Sequence, residues 1–131
     1  MFGVDTNVLV RFLVRDVEPQ FVRADRWLRD RAASNDPVFV SLLVLLETEW
    51  VLRSRYALTK GEIAAAFSAL LDSVVFTVEH QSTVDNALFV WNDSNVEFAD
   101  CLIGAHNRSV GCRSTMTFNA TAAGLATFKS L

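Results

Sequence analysis

Acidic side chains occur at three places in this sequence where they could bind a metal ion. Asp5 follows the short apolar run that opens the chain, Glu47 lies in an apolar helical segment, and Asp100 lies near the start of another helix. Mg²⁺ and Mn²⁺ prefer hard oxygen ligands, usually a few carboxylates together with water. Carboxylates that came together without a cation would repel one another. The sequence therefore predicts a divalent metal site formed by these acids.

Asp5 and Asp100 also have purely structural interpretations. Asp is a strong N-cap, so Asp5 could simply begin the helix that follows it. Asp100 could only complement the dipole of its helix, although its apolar neighbours indicate a lined pocket. Glu97 lies three residues earlier on the same helix face and is a further candidate for the metal site.

Glu47 lies in the most apolar helix of the chain. It could pair with Arg53 or face the solvent. However, it shares a helix face with Leu43, Trp50 and Val51, whereas Glu49 does not. This spacing favours a buried or pocket position for Glu47.

The elements that must position these acids follow from hydrophobic periodicity and capping residues. The predicted strands cover residues 1–5, 38–40, 74–78 and 112–117. The predicted helices cover residues 7–13, 18–33, 42–56, 59–71, 82–92, 97–109 and 120–128. The residues expected to begin or end helices are Ser41, Thr59 with Glu62 in a capping box, Ser82 or Thr83, and Gly111.

The order β-α-α-β-α-α-β-α-α-β-α predicts a mostly parallel sheet with helices on both faces. We expect the first strand to be a buried central strand that ends at Asp5. Ligands of such sheets bind outside the carboxyl ends of the strands. The segment from Thr115 to Asn119 supplies hydroxyl and amide groups at the same predicted edge.

Length and composition predict one globular domain over residues 1–131, because the chain is 51% hydrophobic and carries a net charge of only -3. No signal peptide or membrane-spanning segment is evident, so we expect a soluble, cytoplasmic protein. Half of the 12 basic residues are arginines crowded into the first quarter: Arg11, Arg15, Arg23, Arg26, Arg29 and Arg31. Acidic residues are interleaved with them, which favours a solvated face with internal ion pairs over a phosphate-binding stripe.

Four motifs in order resemble the PIN-domain ribonucleases, and within them the VapC-type toxins of bacterial toxin–antitoxin pairs. The resemblance covers essentially the whole chain. It is carried by Val4-Asp5-Thr6-Asn7, Leu45-Leu46-Glu47 with Trp50-Val51-Leu52, Phe98-Ala99-Asp100 with Leu102-Ile103, and Thr117-Phe118.

The resemblance implies a PIN-like three-layer α/β/α sandwich that binds Mg²⁺ or Mn²⁺ and hydrolyses RNA. By position, Asp5, Glu47 and Asp100 would be the catalytic, metal-binding acids. The side chains that would hold water or contact the RNA are Thr6, Asn7, Thr115 and Thr117. The resemblance also implies a toxin that forms homodimers and is neutralised by a cognate VapB-type antitoxin. The apolar character of the segment around Trp50 and Val51 likewise predicts a homodimer and a partner helix.

One position departs from the family pattern. After the Thr-Phe motif the family typically has a fourth Asp, whereas this chain has Asn119. An amide keeps an oxygen ligand and loses the charge, so we expect weaker metal binding. A PIN domain that binds RNA or an antitoxin without cutting is therefore an alternative function.

A phosphoryl-accepting receiver domain is an alternative of a different class. That fold needs a second acid beside the first and a lysine after the last strand. The pairs Thr6-Asn7 and Asn119-Ala120 supply neither.

Overall fold

The computed structural model describes all 131 residues, which divide into two compact units, Met1–Glu79 and His80–Leu131. The first unit contains strands β1 (Phe2–Gly3), β2 (Val38–Val40) and β3 (Phe76–Val78), and helices α1 (Thr6–Val14), α2 (Glu18–Ala33), α3 (Leu42–Ser54) and α4 (Lys60–Asp72). The second unit contains α5 (Gln81–Asn92), α6 (Phe98–Ser109), β4 (Thr115–Thr117), a 3₁₀ turn (Ala122–Gly124) and β5 (Phe128–Ser130).

The first unit is built on a parallel sheet in the order β1-β2-β3. Helix α1 packs against α2 and α3, α3 packs against α4, and α4 packs against β3. The prediction of a central first strand is wrong for this sheet, because β2 lies in the middle with Val38 and Val40 fully buried. Phe2 in β1 is exposed, and the strand ends at Gly3. A short apolar run alone does not distinguish a central strand from an edge strand.

Side-chain caps fix where the helices of the first unit begin. Ser41 accepts the amide of Val44 at the start of α3, as predicted. At α4 the predicted capping box is also confirmed: the Thr59 hydroxyl accepts the Glu62 amide, and the Glu62 carboxylate accepts the Thr59 amide. The bonds from the Thr59 backbone and hydroxyl hold the pKa of Glu62 below its ordinary value.

In the second unit, α5 packs against α6, and β4 pairs with β5 in parallel. The predicted closing helix over residues 120–128 is wrong, because this segment forms a single 3₁₀ turn and then enters β5. Gly124 and the β-branched Thr127 disfavour a helix there. The carbonyl of Thr127 instead accepts the amide of Thr115, which continues the parallel ladder.

The predicted start of α5 is also wrong. The helix begins at Gln81, after His80 with a left-handed φ of 48°, so neither Ser82 nor Thr83 is its N-cap. Thr83 is buried inside the helix instead. The predicted end of α6 is confirmed, since Gly111 follows with a φ of 102°. No helix in the chain combines the length and the apolar character needed to cross a lipid bilayer.

Gly104 allows α6 to approach the chain that leads into β5. A Cβ atom at this position would collide with the hydroxyl of Thr127 and would lie 2.6 Å from the Phe128 ring. We predict that Gly104→Ala lowers the free energy of unfolding by about 1–3 kcal/mol through overpacking. The matched control is Gly124→Ala, because its Cβ would meet no atom within 4 Å. Urea denaturation of both variants measures the difference, and equal stabilities would contradict the close contact.

Candidate active site

Asp5 joins β1 to α1 and is exposed at the carboxyl end of its strand. Its Oδ1 atom accepts the amide of Val8 at 2.9 Å, so the residue is the N-cap of α1. Its Oδ2 atom makes no hydrogen bond or ion pair. The capping role is therefore real, and it leaves one carboxylate oxygen free for a ligand.

Thr6 and Asn7 follow Asp5 in the first turn of α1. Thr6 is buried, whereas Asn7 is exposed and lines a cleft together with Asp5. This cleft has a volume of about 880 Å³ and lies within the first unit, along α1 and α2. Asn7 is thus placed where it can contact a ligand of Asp5, and Thr6 is not exposed to solvent.

The interpretation of Glu47 as a buried residue is wrong, because its side chain is exposed. It shares its face with Leu43 and Trp50, as the spacing indicated, but these two residues are 77% and 52% exposed. The buried acid of α3 is Glu49, which is only 4% exposed. Apolar residues surround α3 on most sides, so periodicity alone could not identify the buried face.

Glu49, and not Glu47, forms the ion pair with Arg53. Its Oε1 atom accepts a hydrogen bond from Arg53 Nε at 2.9 Å, one helical turn away. Glu47 itself has no hydrogen-bond or ion-pair partner. Glu49 is therefore a structural acid, and Glu47 remains available to a ligand.

Asp100 lies in the first turn of α6 and is half-buried. It makes no hydrogen bond or ion pair, and its position complements the positive end of the helix dipole. Glu97 is the N-cap residue of the same helix, with no side-chain capping bond, and it is exposed. Both acids are free of basic partners.

The polar groups of the segment from Thr115 to Asn119 are mostly used within the second unit. The hydroxyl of Thr115 accepts Asn107 Nδ2 at 2.9 Å, and the hydroxyl of Thr117 accepts the Asn119 amide at 2.9 Å. Asn119 Oδ1 accepts the amides of Thr121 and Ala122 at 2.9 and 3.2 Å. These bonds hold the turn that leads into the 3₁₀ segment, and they occupy the oxygen that was expected to face a metal.

Glu79 is an acid at the carboxyl end of β3 that the sequence analysis did not select. Its Oε1 atom accepts the Leu42 amide at 2.8 Å, so it holds the start of α3. It lies on the same sheet edge as Asp5, two strand spacings or roughly 10 Å across the sheet. An acid directly after a β-branched apolar run was the signal that could have identified it.

Carboxylate oxygens without a basic partner are suitable ligands for a hard divalent ion. The free oxygen of Asp5 and the carboxylates of Glu47 and Asp100 form no ion pair with a Lys or Arg. Asp5 and Glu47 belong to the first unit and Asp100 to the second. Within each unit, no group of three or more His, Cys, Asp or Glu side chains could hold a metal ion.

A family model for the PIN domain matches residues 3–126 of this chain. The protein therefore belongs to the PIN domain family, which confirms the predicted α/β fold class and contradicts the receiver-domain alternative. The chain is also similar to the VapC ribonuclease of Aquifex aeolicus (strain VF5). The two are 22% identical over 115 residues, which span 88% of this chain and 84% of that protein. The resemblance indicated by the four sequence motifs is thereby confirmed.

Proposed function

We propose that this protein is a divalent-metal-dependent endoribonuclease that acts as a growth-inhibiting toxin and is neutralised by a cognate VapB-type antitoxin. The observation that carries the proposal is Asp5, whose second oxygen is free at the carboxyl end of a parallel sheet and beside an open cleft. Membership of the PIN domain family and the similarity to a VapC ribonuclease support it. Because the family match extends through both units, we further propose that residues 1–131 act as a single PIN-like domain in the cytoplasm.

In this proposal Asp5, Glu47 and Asp100 hold Mg²⁺ or Mn²⁺. A bound ion of this kind polarises a phosphate and lowers the pKa of water, which supplies the nucleophile for hydrolysis. Asp5 contributes one oxygen while its other oxygen keeps α1 in place. Asn7, which lines the same cleft, positions water or the RNA. The hydroxyls of Thr6, Thr115 and Thr117 hold further water molecules or contact the RNA.

Cleavage of single-stranded RNA in Mg²⁺ and in excess EDTA tests the proposal. We predict cleavage only when the ion is present. In Asp5→Asn the cleavage rate should fall by at least about 100-fold, since mutation of even the outer-shell partners of metal ligands typically lowers metal affinity or activity by about 10–100-fold. Asn is as good an N-cap as Asp, so the free energy of unfolding should change by less than about 0.5 kcal/mol. Asp85→Asn, an exposed acid of α5 without a partner, is the charge-matched control.

Cleavage that persists in EDTA would contradict metal dependence. Full cleavage by Asp5→Asn with the ion present would show that Asp5 acts only as a cap.

Asn119→Asp tests the departure from the family pattern. A carboxylate at this position can keep the bonds to the Thr121 and Ala122 amides through one oxygen and offer the other to the ion. We predict that Mg²⁺ or Mn²⁺ binds more tightly by about 1–3 kcal/mol, the range of a charge-assisted contact, and that RNA cleavage becomes faster. Calorimetric titration and cleavage rates measure both effects.

Asn35→Asp is the control, because it adds the same charge at an exposed turn with a left-handed φ of 53°. If Asn119→Asp and Asn35→Asp have the same metal affinity and the same cleavage rate, Asn119 lies outside the metal site.

A PIN domain that binds RNA or its antitoxin without cutting is the second candidate function. The specific observation in its favour is that Asn119 Oδ1 is committed to two backbone amides and carries no charge. RNA binding by the natural sequence, together with cleavage that appears only in Asn119→Asp, would favour this candidate.

The exposed face of α3 supports the proposal of a homodimer. Leu43 and Trp50 present large apolar surfaces on this face. We predict a dimer at micromolar concentration by light scattering, and a monomer after Leu43→Ser with Trp50→Ser. Val74→Ser with Val110→Ser removes exposed apolar groups elsewhere and should leave the dimer intact. A monomeric natural sequence would contradict the proposal.

The antitoxin proposal has a separate test. Purification from the native host should recover a small protein bound to the chain. Recovery of the chain alone from the native host would contradict it.

A further inference from the structure

The cleft at Asp5 is lined along one side by side chains of α2. Arg23, Arg26 and Trp27 line it from this helix, and Arg11 lines it from α1. Residues three and four apart lie on neighbouring turns of one helix face. The cleft that begins at the candidate catalytic acid therefore carries three guanidinium groups and one aromatic ring.

Arg23 and Arg26 differ from the other arginines of the first quarter of the chain. Four of these bind carboxylates in the structure: Arg11 with Asp16, Arg15 with Glu18, Arg29 with Asp25, and Arg31 with Asp36. Arg23 and Arg26 are exposed and make neither a hydrogen bond nor an ion pair. Asp30 lies one turn after Arg26 in the same cleft, yet the two do not pair. The charges that remain unneutralised are thus those that face the cleft.

Arg11 is held in place on α1, the helix that Asp5 caps. Its Nε atom donates to Gln20 at 2.7 Å, and its Nη1 atom donates to the hydroxyl of Tyr56 at 3.0 Å. That hydroxyl in turn donates to Asp16 at 2.7 Å. This network fixes one guanidinium group, while the two unpaired groups on α2 can still reorient towards a ligand.

We propose that Arg23 and Arg26 bind the phosphate backbone of single-stranded RNA in this cleft and lead the strand to Asp5. The inference rests on the proposed function for the identity of the anion. Guanidinium groups pair with phosphate through paired hydrogen bonds, and basic grooves with aromatic rings are typical of single-stranded nucleic-acid sites. The continuity of the cleft with Asp5 favours the substrate over an acidic peptide as the occupant.

The charge of the cleft fits this assignment. Arg11 pairs with Asp16. The unpaired charges of the cleft lining are therefore Arg23 and Arg26 against Asp30, together with Asp5, which would face the ion in the proposed function. The whole chain has a net charge of -3, so no general basic field attracts RNA elsewhere. A local pair of unneutralised arginines is therefore what distinguishes this surface from the rest of α2.

RNA binding measured without cleavage tests the inference. All variants carry Asp5→Asn and are kept in EDTA, and binding to a fluorescein-labelled single-stranded RNA of mixed sequence is followed by fluorescence anisotropy across a salt series. Arg23→Gln with Arg26→Gln should weaken binding by at least about tenfold. Two lost phosphate contacts should also reduce the slope of log K against log salt by about 1.4. Both residues are exposed, so the melting temperature should be unchanged.

The control is Arg113→Gln with Lys129→Gln, which removes the same charge at exposed, unpaired positions outside the cleft. Its RNA affinity should stay within about twofold, because neither residue lines the cleft. Equal affinities and slopes in the two double variants would overturn the inference, even if the natural sequence cleaves RNA. Displacement of the RNA by polyglutamate at equal or lower concentration would also overturn it, in favour of an acidic peptide. Loss of RNA binding in the first variant, in a protein that never cleaves, would support the cleft and defeat the proposed ribonuclease.

Discussion

The hydrogen bond from the Val8 amide to the Asp5 carboxylate fixes both the start of α1 and the position of the candidate catalytic acid. It closes the turn between β1 and α1, and β1 in turn pairs with β2. Parallel strands place the residues that follow them at one edge of the sheet, so this turn decides where the acid lies. A carboxylate has two oxygens, and only one is needed as a cap. The same residue can therefore stabilise the helix start and still bind a ligand.

The side chain of Asn119 also accepts backbone amides, but unlike Asp5 it carries no charge. Its side-chain oxygen accepts the backbone amides of Thr121 and Ala122 at the start of the 3₁₀ turn, whereas Asp5 is the N-cap of α1 itself. Asn and Asp are nearly equivalent as caps, so the fold tolerates either. They are not equivalent towards a cation, because the second polar group of Asn is an NH₂ donor. The position can thus be satisfied structurally while it contributes no charge to the site.

The sequence predicted best those elements whose signals are local. The bounds of α2, the strand 38–40 and the capping box of Thr59 and Glu62 depend on neighbouring residues, and all were correct. The buried face of α3 was not predicted, because Leu or Val on most sides leaves no contrast for periodicity to detect. Which glutamate was buried depended on what packs against the helix, and only the structure shows that. The predicted closing helix was wrong because Gly124 and Thr127 disfavour a helix, and residues 128–130 pair with β4 instead.

For the arginines of α2, the spacing of charges along the helix predicts one ion pair correctly and another incorrectly. Asp25 and Arg29 are four apart and pair, as the interleaved charges indicated. Arg26 and Asp30 have the same spacing with the charges reversed, an orientation less favourable to the helix dipole, and they do not pair. Since a surface ion pair contributes less than about 1 kcal/mol, small differences in geometry decide whether it forms. An unpaired charge is therefore not evident from the sequence, although it is the feature that distinguishes a binding surface from a solvated helix.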